Sequence, residues 1–243
     1  MRKGFTTEGI LRRSSGQAPD TEEGGRVALR ALDLFCGAGG VSMGLHQAGF
    51  EAWGVDIKRQ PRYPFPHRFV QGDALRPPFD LADFDFVWAS PPCQAHSIAR
   101  NMKHQREHPD LVPATRALLE GHPLTCIENV PGAPLRIDLR LDGWMFPDLR
   151  VIRERWFETS FFCFSPQVTR PRGLLGKGYI SVIGSGTPPY MVRRGIRYGV
   201  ADCRRAMGIP WMSRKELSQA IPPAYAAFIG RAAIAWRRAG EAA

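Results

Sequence analysis

The sequence of 243 residues has no apolar run that approaches the length of a membrane span, and it has no Cys-x-x-Cys pair. Its N-terminal stretch is basic but lacks the apolar segment of a secretory signal. We therefore expect a cytoplasmic protein that does not engage a membrane. The five cysteines are scattered and odd in number, which argues against a disulfide framework and against a zinc site. At least one thiol should be free to react, and we expect no metal.

Acidic residues are fewer than basic residues in this chain. The chain has 23 Asp and Glu against 33 Lys and Arg, which gives a formal net charge of +10. An excess of this size favours a polyanionic partner such as a nucleic acid, although a basic protein that is merely soluble would share it.

Apolar strands alternate with helical stretches from Val27 onward. Residues 1–27 are polar and of mixed charge, and we interpret them as a flexible tail. The predicted strands are 27–35, 51–57, 67–74, 84–92 and 124–130. This succession predicts an α/β fold with a doubly wound, mostly parallel sheet, in which ligands bind at the carboxyl ends of the strands. Beyond Val130 we predict strands at 156–162 and 179–186 and helices at 202–208 and 224–238.

Three features at predicted strand ends suit a nucleotide-like ligand. Residues 33–40 read DLFCGAGG, a strand that runs into small residues and a helix, where backbone can approach a ligand closely. A carboxylate at Asp56 can accept from both ribose hydroxyls of an adenosine, and Asp73 can accept from an adenine amino group. Each feature alone also fits a plain turn or a surface cap, and their order along the chain makes them more informative together.

Cys93 follows Pro91 and Pro92 at the end of an apolar strand. Two prolines stiffen the backbone directly before the thiol, which fixes the sulfur as a nucleophile requires. A buried inert cysteine is the alternative, but this one opens a polar loop, and we therefore favour the nucleophile.

One carboxyl group and two arginines that lie after Cys93 in the chain are candidates for acid–base chemistry and for anion binding. Glu128 ends an apolar strand, where poor solvation would raise its pKa and suit it to proton donation; a salt-bridge partner is the alternative. Arg153 and Arg155 stand two apart in an extended stretch and should share a face. They could hold a phosphate or the acceptor edge of a base, or they are simply exposed charges.

These motifs, in this order, resemble motifs I, II, III, IV, VI and VIII of the cytosine-5 DNA methyltransferases. The matching segments are DLFCGAGG, the acid at Asp56, GDA at 72–74, PPCQ at 91–94, ENV at 128–130 and RERWF at 153–157. The resemblance covers residues 30–160 and, more weakly, 200–230. Cys93 followed 35 residues later by Glu128 makes PPCQ and ENV its most specific pair. The short length resembles the compact forms that phages and prophages often carry, which implies a bacterial or phage-infected host cell.

The resemblance implies a class I, Rossmann-like methyltransferase fold that binds S-adenosylmethionine. The cofactor would lie over Phe35 and the turn of Gly37, Ala38 and Gly39, with Pro91 also in contact. Asp56 would hold the ribose hydroxyls, Ile57 would pack on the adenine, and Asp73 would bind the adenine amino group.

The resemblance also implies a mechanism on a cytosine flipped out of double-stranded DNA. The thiolate of Cys93 would add to C6, Glu128 would donate at N3, and Arg155 with Arg153 would stabilise O2. After C5 takes the methyl group, loss of the C5 proton and β-elimination would free the thiol. The polar loop 94–108 would close over the DNA, with Ser97 and Arg100 near phosphates.

Three departures from the family pattern stand out. Val151 replaces the Gln that usually opens motif VIII, and Ser218-Gln219 replaces a Gly-Asn near the C-terminus. Only residues 159–200 lie where the family usually inserts a much larger recognition module, and we expect Arg170 and Arg172 there to contact DNA. The expected organisation is therefore a tail (1–27), a catalytic domain (28–158), a reduced recognition segment (159–200) and a C-terminal segment that returns to the catalytic domain (201–243), in a monomer.

Two alternatives remain open at this stage. One branch of the family methylates a cytosine in tRNA, and a reduced recognition region is compatible with that substrate. A catalytically inactive DNA-binding homologue is the other alternative, but the presence of both Cys93 and Glu128 disfavours it.

Overall fold

The computed structural model describes residues 28–93 and 109–242. Seven strands form one sheet: β1 (Arg30–Leu34), β2 (Glu51–Asp56), β3 (Phe69–Gln71), β4 (Phe86–Ala89), β5 (Thr125–Asn129), β6 (Leu139–Leu141) and β7 (Arg155–Thr159). The helices are α1 (Gly40–Ala48), α2 (Val112–Leu118), α3 (Pro189–Val192), α4 (Val200–Met207), α5 (Arg214–Gln219) and α6 (Pro223–Glu241). Within the described ranges, no helix is long and apolar enough to cross a membrane.

The strand order is β3-β2-β1-β4-β5-β7-β6. Strands β1 to β5 pair in parallel, whereas β7 is antiparallel to both β5 and β6. This confirms the predicted α/β fold with a mostly parallel sheet. Because β1 to β5 run the same way, their carboxyl ends lie along one edge of the sheet, which we call the upper rim.

Side chains alternate between the two faces of the central strands, and each face has its own core. Ala31, Phe86 and Trp88 pack with residues of α1 and α6, whereas Leu32 and Val87 pack with Val112 of α2. Burial on both faces is typical of parallel sheets, and it explains why β1 and β4 are continuous apolar runs. The sheet is therefore covered on both sides, as a doubly wound fold requires.

The helices α1 and α6 pack unusually closely. A Cβ added at Gly44 would lie 2.2 Å from the backbone oxygen of Pro223 and 2.7 Å from Cβ of Ala226. Glycine at this position lets the start of α6 lie directly on α1, which carries the Gly-rich turn at its N-terminus. The last helix, predicted at 224–238, is confirmed as α6, which begins at Pro223.

The second half of the chain departs from the sequence-based expectations. The strand predicted at 179–186 forms only isolated bridges, Val151 with Ile180 and Ile183 with Gly186. The strand predicted at 156–162 ends at Thr159. Neither β6 nor α5 was predicted, because three and six residues are too few to show a periodic pattern. The four-part division of the chain stays a prediction.

Candidate active site

The upper rim collects the predicted site residues because neighbouring strands end in register. Leu34 of β1 pairs with Val55 of β2 and with Ala89 of β4, and Ala89 pairs with Ile127 of β5. Residues directly beyond these positions therefore lie side by side. They include Phe35, Asp56, Ser90 and Glu128.

The turn after β1 has a backbone suited to a ligand. Phe35 has φ 61°, the one positive φ of a non-glycine residue in the described part of the chain, and this conformation costs about 1–3 kcal/mol. Gly37 follows with φ 50°, and a Cβ there would meet no protein atom within 4 Å. The turn thus presents strained backbone to open space, where a ligand can approach it.

Three predicted cofactor residues line this open side. Oδ2 of Asp56 accepts from the backbone N–H of Gly37 at 3.0 Å, and Oδ1 accepts from Lys58 N–H at 2.8 Å. These bonds fix the carboxylate, and each oxygen keeps a second lone pair for a hydroxyl. Ile57 is 68% exposed, so it offers an uncovered apolar surface for a flat ring. Asp73 is exposed, and one of its oxygens accepts from Leu75 N–H at 2.9 Å.

The C-terminal segment lies against the same turn. Trp211 donates from Nε1 to the carbonyl oxygen of Ala38 at 2.8 Å. Arg62, in the loop after β2, forms an ion pair with Glu216 of α5 at 3.2 Å. These contacts hold residues 200–220 beside the Gly-rich turn. Nothing in the local sequence pattern marks Trp211 for this contact, since its partner lies 173 positions earlier.

The turn that carries Cys93 is anchored by a neighbouring strand. Asn129, which is 1% exposed, donates from Nδ2 to the carbonyl oxygen of Pro91 at 3.0 Å. Ser90 donates its N–H to the carbonyl of Leu34 at 3.1 Å. The PPC and ENV motifs are thus joined by a buried hydrogen bond, and Cys93 lies half-buried directly after the anchored residues. Pro91 keeps one carbonyl lone pair, and its cofactor contact stays a prediction.

Glu128 is buried, with 5% exposure, and pairs with Arg155. Nε of Arg155 lies 3.0 Å from Oε1 of Glu128. Burial raises the pKa of Glu128, while Arg155, the Ser90 side chain and Arg153 act in the opposite direction. The predicted rise of this pKa agrees with the structure. The salt-bridge alternative is also realised, so that one carboxyl group has both an elevated pKa and a cationic partner.

The same charges act on Cys93. Burial raises the pKa of its thiol, and the Glu128 carboxylate raises it further, whereas Arg155 and Arg153 lower it. The thiol is therefore mostly protonated at neutral pH in the protein without ligands. Its ionisation depends on the balance between one anion and two cations.

Arg153 and Arg155 do not have the same surroundings. Arg153 precedes β7, and its buried guanidinium donates to the carbonyl oxygens of Val182 at 3.3 Å and Ser218 at 2.7 Å. Its Nε has no partner among the described residues. Arg153 therefore ties the segment 159–200 and the C-terminal segment to the sheet, whereas Arg155 faces Glu128. A direct role for Arg153 at a substrate stays a prediction.

The predicted DNA contacts divide into two groups. Ser97 and Arg100 lie outside the described residues. Arg170 and Arg172 are exposed and, with Arg194 and the apolar residues Leu174 and Leu175, line an open cavity of about 620 Å³. Among the described residues, no group of three or more His, Cys, Asp or Glu could hold a metal ion.

Comparison with known proteins shows which family and which solved structures the chain is similar to. Residues 29–134 match the model of the C-5 cytosine-specific DNA methylases. A structure from an E. coli prophage, described as a DNA modification methyltransferase, is 16% identical with a TM-score of 0.56 and covers 87% of this chain and 100% of that one. The methyltransferase EhMeth of Entamoeba histolytica is 12% identical with a TM-score of 0.59, and covers 86% of this chain and 99% of its own. At such identities the likeness shows the fold. No curated protein matches significantly.

The electrostatics of the site predict how Cys93 reacts with an alkylating agent. Because burial and Glu128 raise its pKa, the alkylation rate should keep rising with pH beyond the ordinary thiol pKa of about 8.5. Glu128→Gln removes one of the raising charges, so its pH–rate curve should shift to lower pH. Iodoacetamide labelling followed by peptide mass spectrometry measures Cys93 separately from the half-buried Cys163. An unchanged curve in the variant would show that Glu128 does not act on the thiol.

Proposed function

We propose that the protein is a DNA (cytosine-5) methyltransferase that transfers the methyl group of S-adenosylmethionine through a covalent Cys93–cytosine adduct. The match of residues 29–134 to the model of the C-5 cytosine-specific DNA methylases supports this proposal. The main support for this proposal is that the carboxyl ends of β4 and β5 are joined by a hydrogen bond. Asn129 holds the turn of Cys93 through Pro91, and the neighbouring Glu128 is buried against Arg155. A thiol, an acid of raised pKa and a guanidinium thus converge at one point of the rim.

The rim offers a fitting place for the methyl donor. An adenosine can be held between Asp56, Asp73 and the exposed face of Ile57, while the open backbone around Gly37 leaves room for the rest of the molecule. Phe35 and Ala38 belong to the same turn. When bound, S-adenosylmethionine supplies an electrophilic methyl group on a sulfonium. The role of this protein is to place C5 of the base in line with that methyl group.

The chemistry of the base follows from the charges beside Cys93. The thiolate adds to C6 of a flipped cytosine, and the electron pair of the C5–C6 bond moves into the ring toward N3 and O2. Glu128, with its raised pKa, donates to N3, and Arg155 offsets negative charge at O2. C5 is then nucleophilic and takes the methyl group. Removal of the C5 proton by a base expels the Cys93 thiolate and restores the ring.

Radiolabelled methyl transfer tests the proposed substrate and nucleophile together. Tritium from labelled S-adenosylmethionine should enter duplex DNA and not tRNA, and Cys93→Ser should reduce the rate by a factor on the order of 10³ or more, because the covalent route is lost. Cys163→Ser is the matched control, since Cys163 is also half-buried but lies outside the rim, and it should keep full activity. Label in tRNA alone would assign the other substrate, and binding without transfer by the wild type would indicate an inactive homologue.

The segment 159–200 is proposed to carry DNA recognition. It contains six basic residues and no Asp or Glu: Arg170, Arg172, Lys177, Arg193, Arg194 and Arg197. All six are exposed, and none pairs with an acid within the described ranges. Unpaired cations on loops suit phosphate contacts, which add affinity without reading sequence. About forty residues cannot form a large base-reading module, so few base contacts are available.

This composition predicts a short site and a strong salt dependence. With up to six phosphate contacts, the slope of log affinity against log salt should approach about −5, and Arg170→Ala or Arg172→Ala should each make it shallower by about 1. Arg238→Ala, on the last turn of α6, is the control that should leave the slope unchanged.

Bisulfite sequencing of host DNA should show methylation at a site of about four base pairs or fewer. A strict motif of six base pairs or more would contradict the phosphate-dominated model.

A further inference from the structure

The Gly-rich turn after β1 begins with a residue in a strained conformation. Phe35 has φ 61°, and Gly37 follows with φ 50°. A strained backbone of this kind persists only when the structure around it holds it in place. On the side of the sheet, the N–H of Cys36 donates to the carbonyl oxygen of Val55 at 3.1 Å, and the N–H of Gly37 donates to Asp56 at 3.0 Å. These bonds hold the first half of the turn against β2.

The second half of the turn is in contact with the C-terminal segment. Trp211 donates from Nε1 to the carbonyl oxygen of Ala38 at 2.8 Å. A Cβ added at Gly40 would lie 2.4 Å from the backbone oxygen of Ile221, so the backbones of the two segments touch directly. Both contacts come from outside residues 29–134, the part of the chain that the family model matches. The matched domain therefore does not hold the whole turn by itself.

The bond from Trp211 fixes more than one carbonyl group. The carbonyl of Ala38 and the N–H of Gly39 belong to the same planar peptide group, so the indole sets the orientation of both. The N–H of Gly39 closes the turn by donating to the carbonyl oxygen of Cys36 at 3.0 Å. Ala38 is only 5% exposed, so water has little access to replace the indole if that donor is removed. The closure of the turn therefore depends on Trp211.

We propose, resting on the function argued above, that Trp211 is a positioning residue for the methyl donor, because its bond to Ala38 keeps the Gly-rich turn in the strained form that accepts S-adenosylmethionine. Trp211 acts through the turn and not on the reacting atoms. Without the indole donor, the turn relaxes toward unstrained backbone, and the cofactor must restore the strained form when it binds, which lowers its affinity. Once the cofactor is bound, the geometry is the same, so the chemical step should keep its rate.

Calorimetry and steady-state kinetics of the full chain with Trp211→Phe test the proposal, since this variant keeps an aromatic ring and loses the N–H donor. The Kd and the KM of S-adenosylmethionine should each rise by about tenfold, while kcat at saturating cofactor and the KM of DNA stay within about twofold. Amide hydrogen exchange at residues 35–40 should be faster in the variant and should return to the wild-type rate at saturating cofactor. Trp236→Phe, the matched control, changes an exposed indole on α6 and should leave all of these values unchanged.

Two results would overturn the inference. They are an unchanged cofactor affinity in Trp211→Phe, and a loss of kcat or of folded protein with the KM of the cofactor unchanged, which would indicate a merely structural role. If the variant does not fold, the wild type still decides: S-adenosylhomocysteine should slow amide exchange at residues 209–213 as well as at 35–40, because stabilisation between two contacting segments is reciprocal. Slower exchange at 35–40 alone would contradict it. A wild type that binds neither S-adenosylmethionine nor S-adenosylhomocysteine would remove the proposed function as well, whereas the other outcomes leave that function intact.

Discussion

A buried carboxylate is stable only when a nearby cation compensates its charge or when it is protonated, and the surroundings of Glu128 favour both. Its burial at the end of β5 raises its pKa, and the guanidinium of Arg155 at 3.0 Å supplies the compensating charge. Removing one partner of a buried ion pair typically costs about 3–5 kcal/mol, because the other charge is left uncompensated. The pair depends on the antiparallel alignment of β7 with β5, which sets Arg155 beside Glu128. The antiparallel step from β5 to β7 is therefore what brings the guanidinium to the rim.

The remaining parts of the site are held by contacts that join distant segments of the chain. Asn129 fixes the turn before Cys93, and Trp211 bonds to the backbone of the Gly-rich turn. Arg153 bonds to backbone oxygens of Val182 and Ser218, one in each of the two segments that follow β7. Before α4 begins at Val200, the segment 159–200, which we propose to carry recognition, has only two four-residue helical pieces, α3 and a 3-10 turn at Leu174–Lys177. Its attachment to Arg153 explains how it can keep a defined position beside the rim.

The sequence predicts the first half of this architecture well because strands β1, β2, β4 and β5 are apolar runs that end in chemically distinctive residues. The convergence of Asp56, Cys93 and Glu128 at one rim followed from the parallel sheet alone. The different partners of Arg153 and Arg155 could not be predicted. Two residues that are two apart in a strand share one face, but Arg153 precedes β7 and does not follow that rule. The contact of Gly44 with Pro223 depends on how α6 and α1 pack. Such long-range contacts leave no periodic pattern in the chain.

The covalent bond that we propose between Cys93 and cytosine in DNA is tested most directly by a trapped complex. In DNA whose target base is 5-fluorocytosine, the fluorine replaces the proton that must leave C5, so the adduct cannot eliminate. Incubation with S-adenosylmethionine, followed by digestion and mass spectrometry, should give a methylated fluorocytosine attached to the peptide that contains Cys93 and to no other cysteine peptide. A protein that methylates ordinary DNA but forms no adduct, or forms it through Cys36, Cys126, Cys163 or Cys203, would contradict the account.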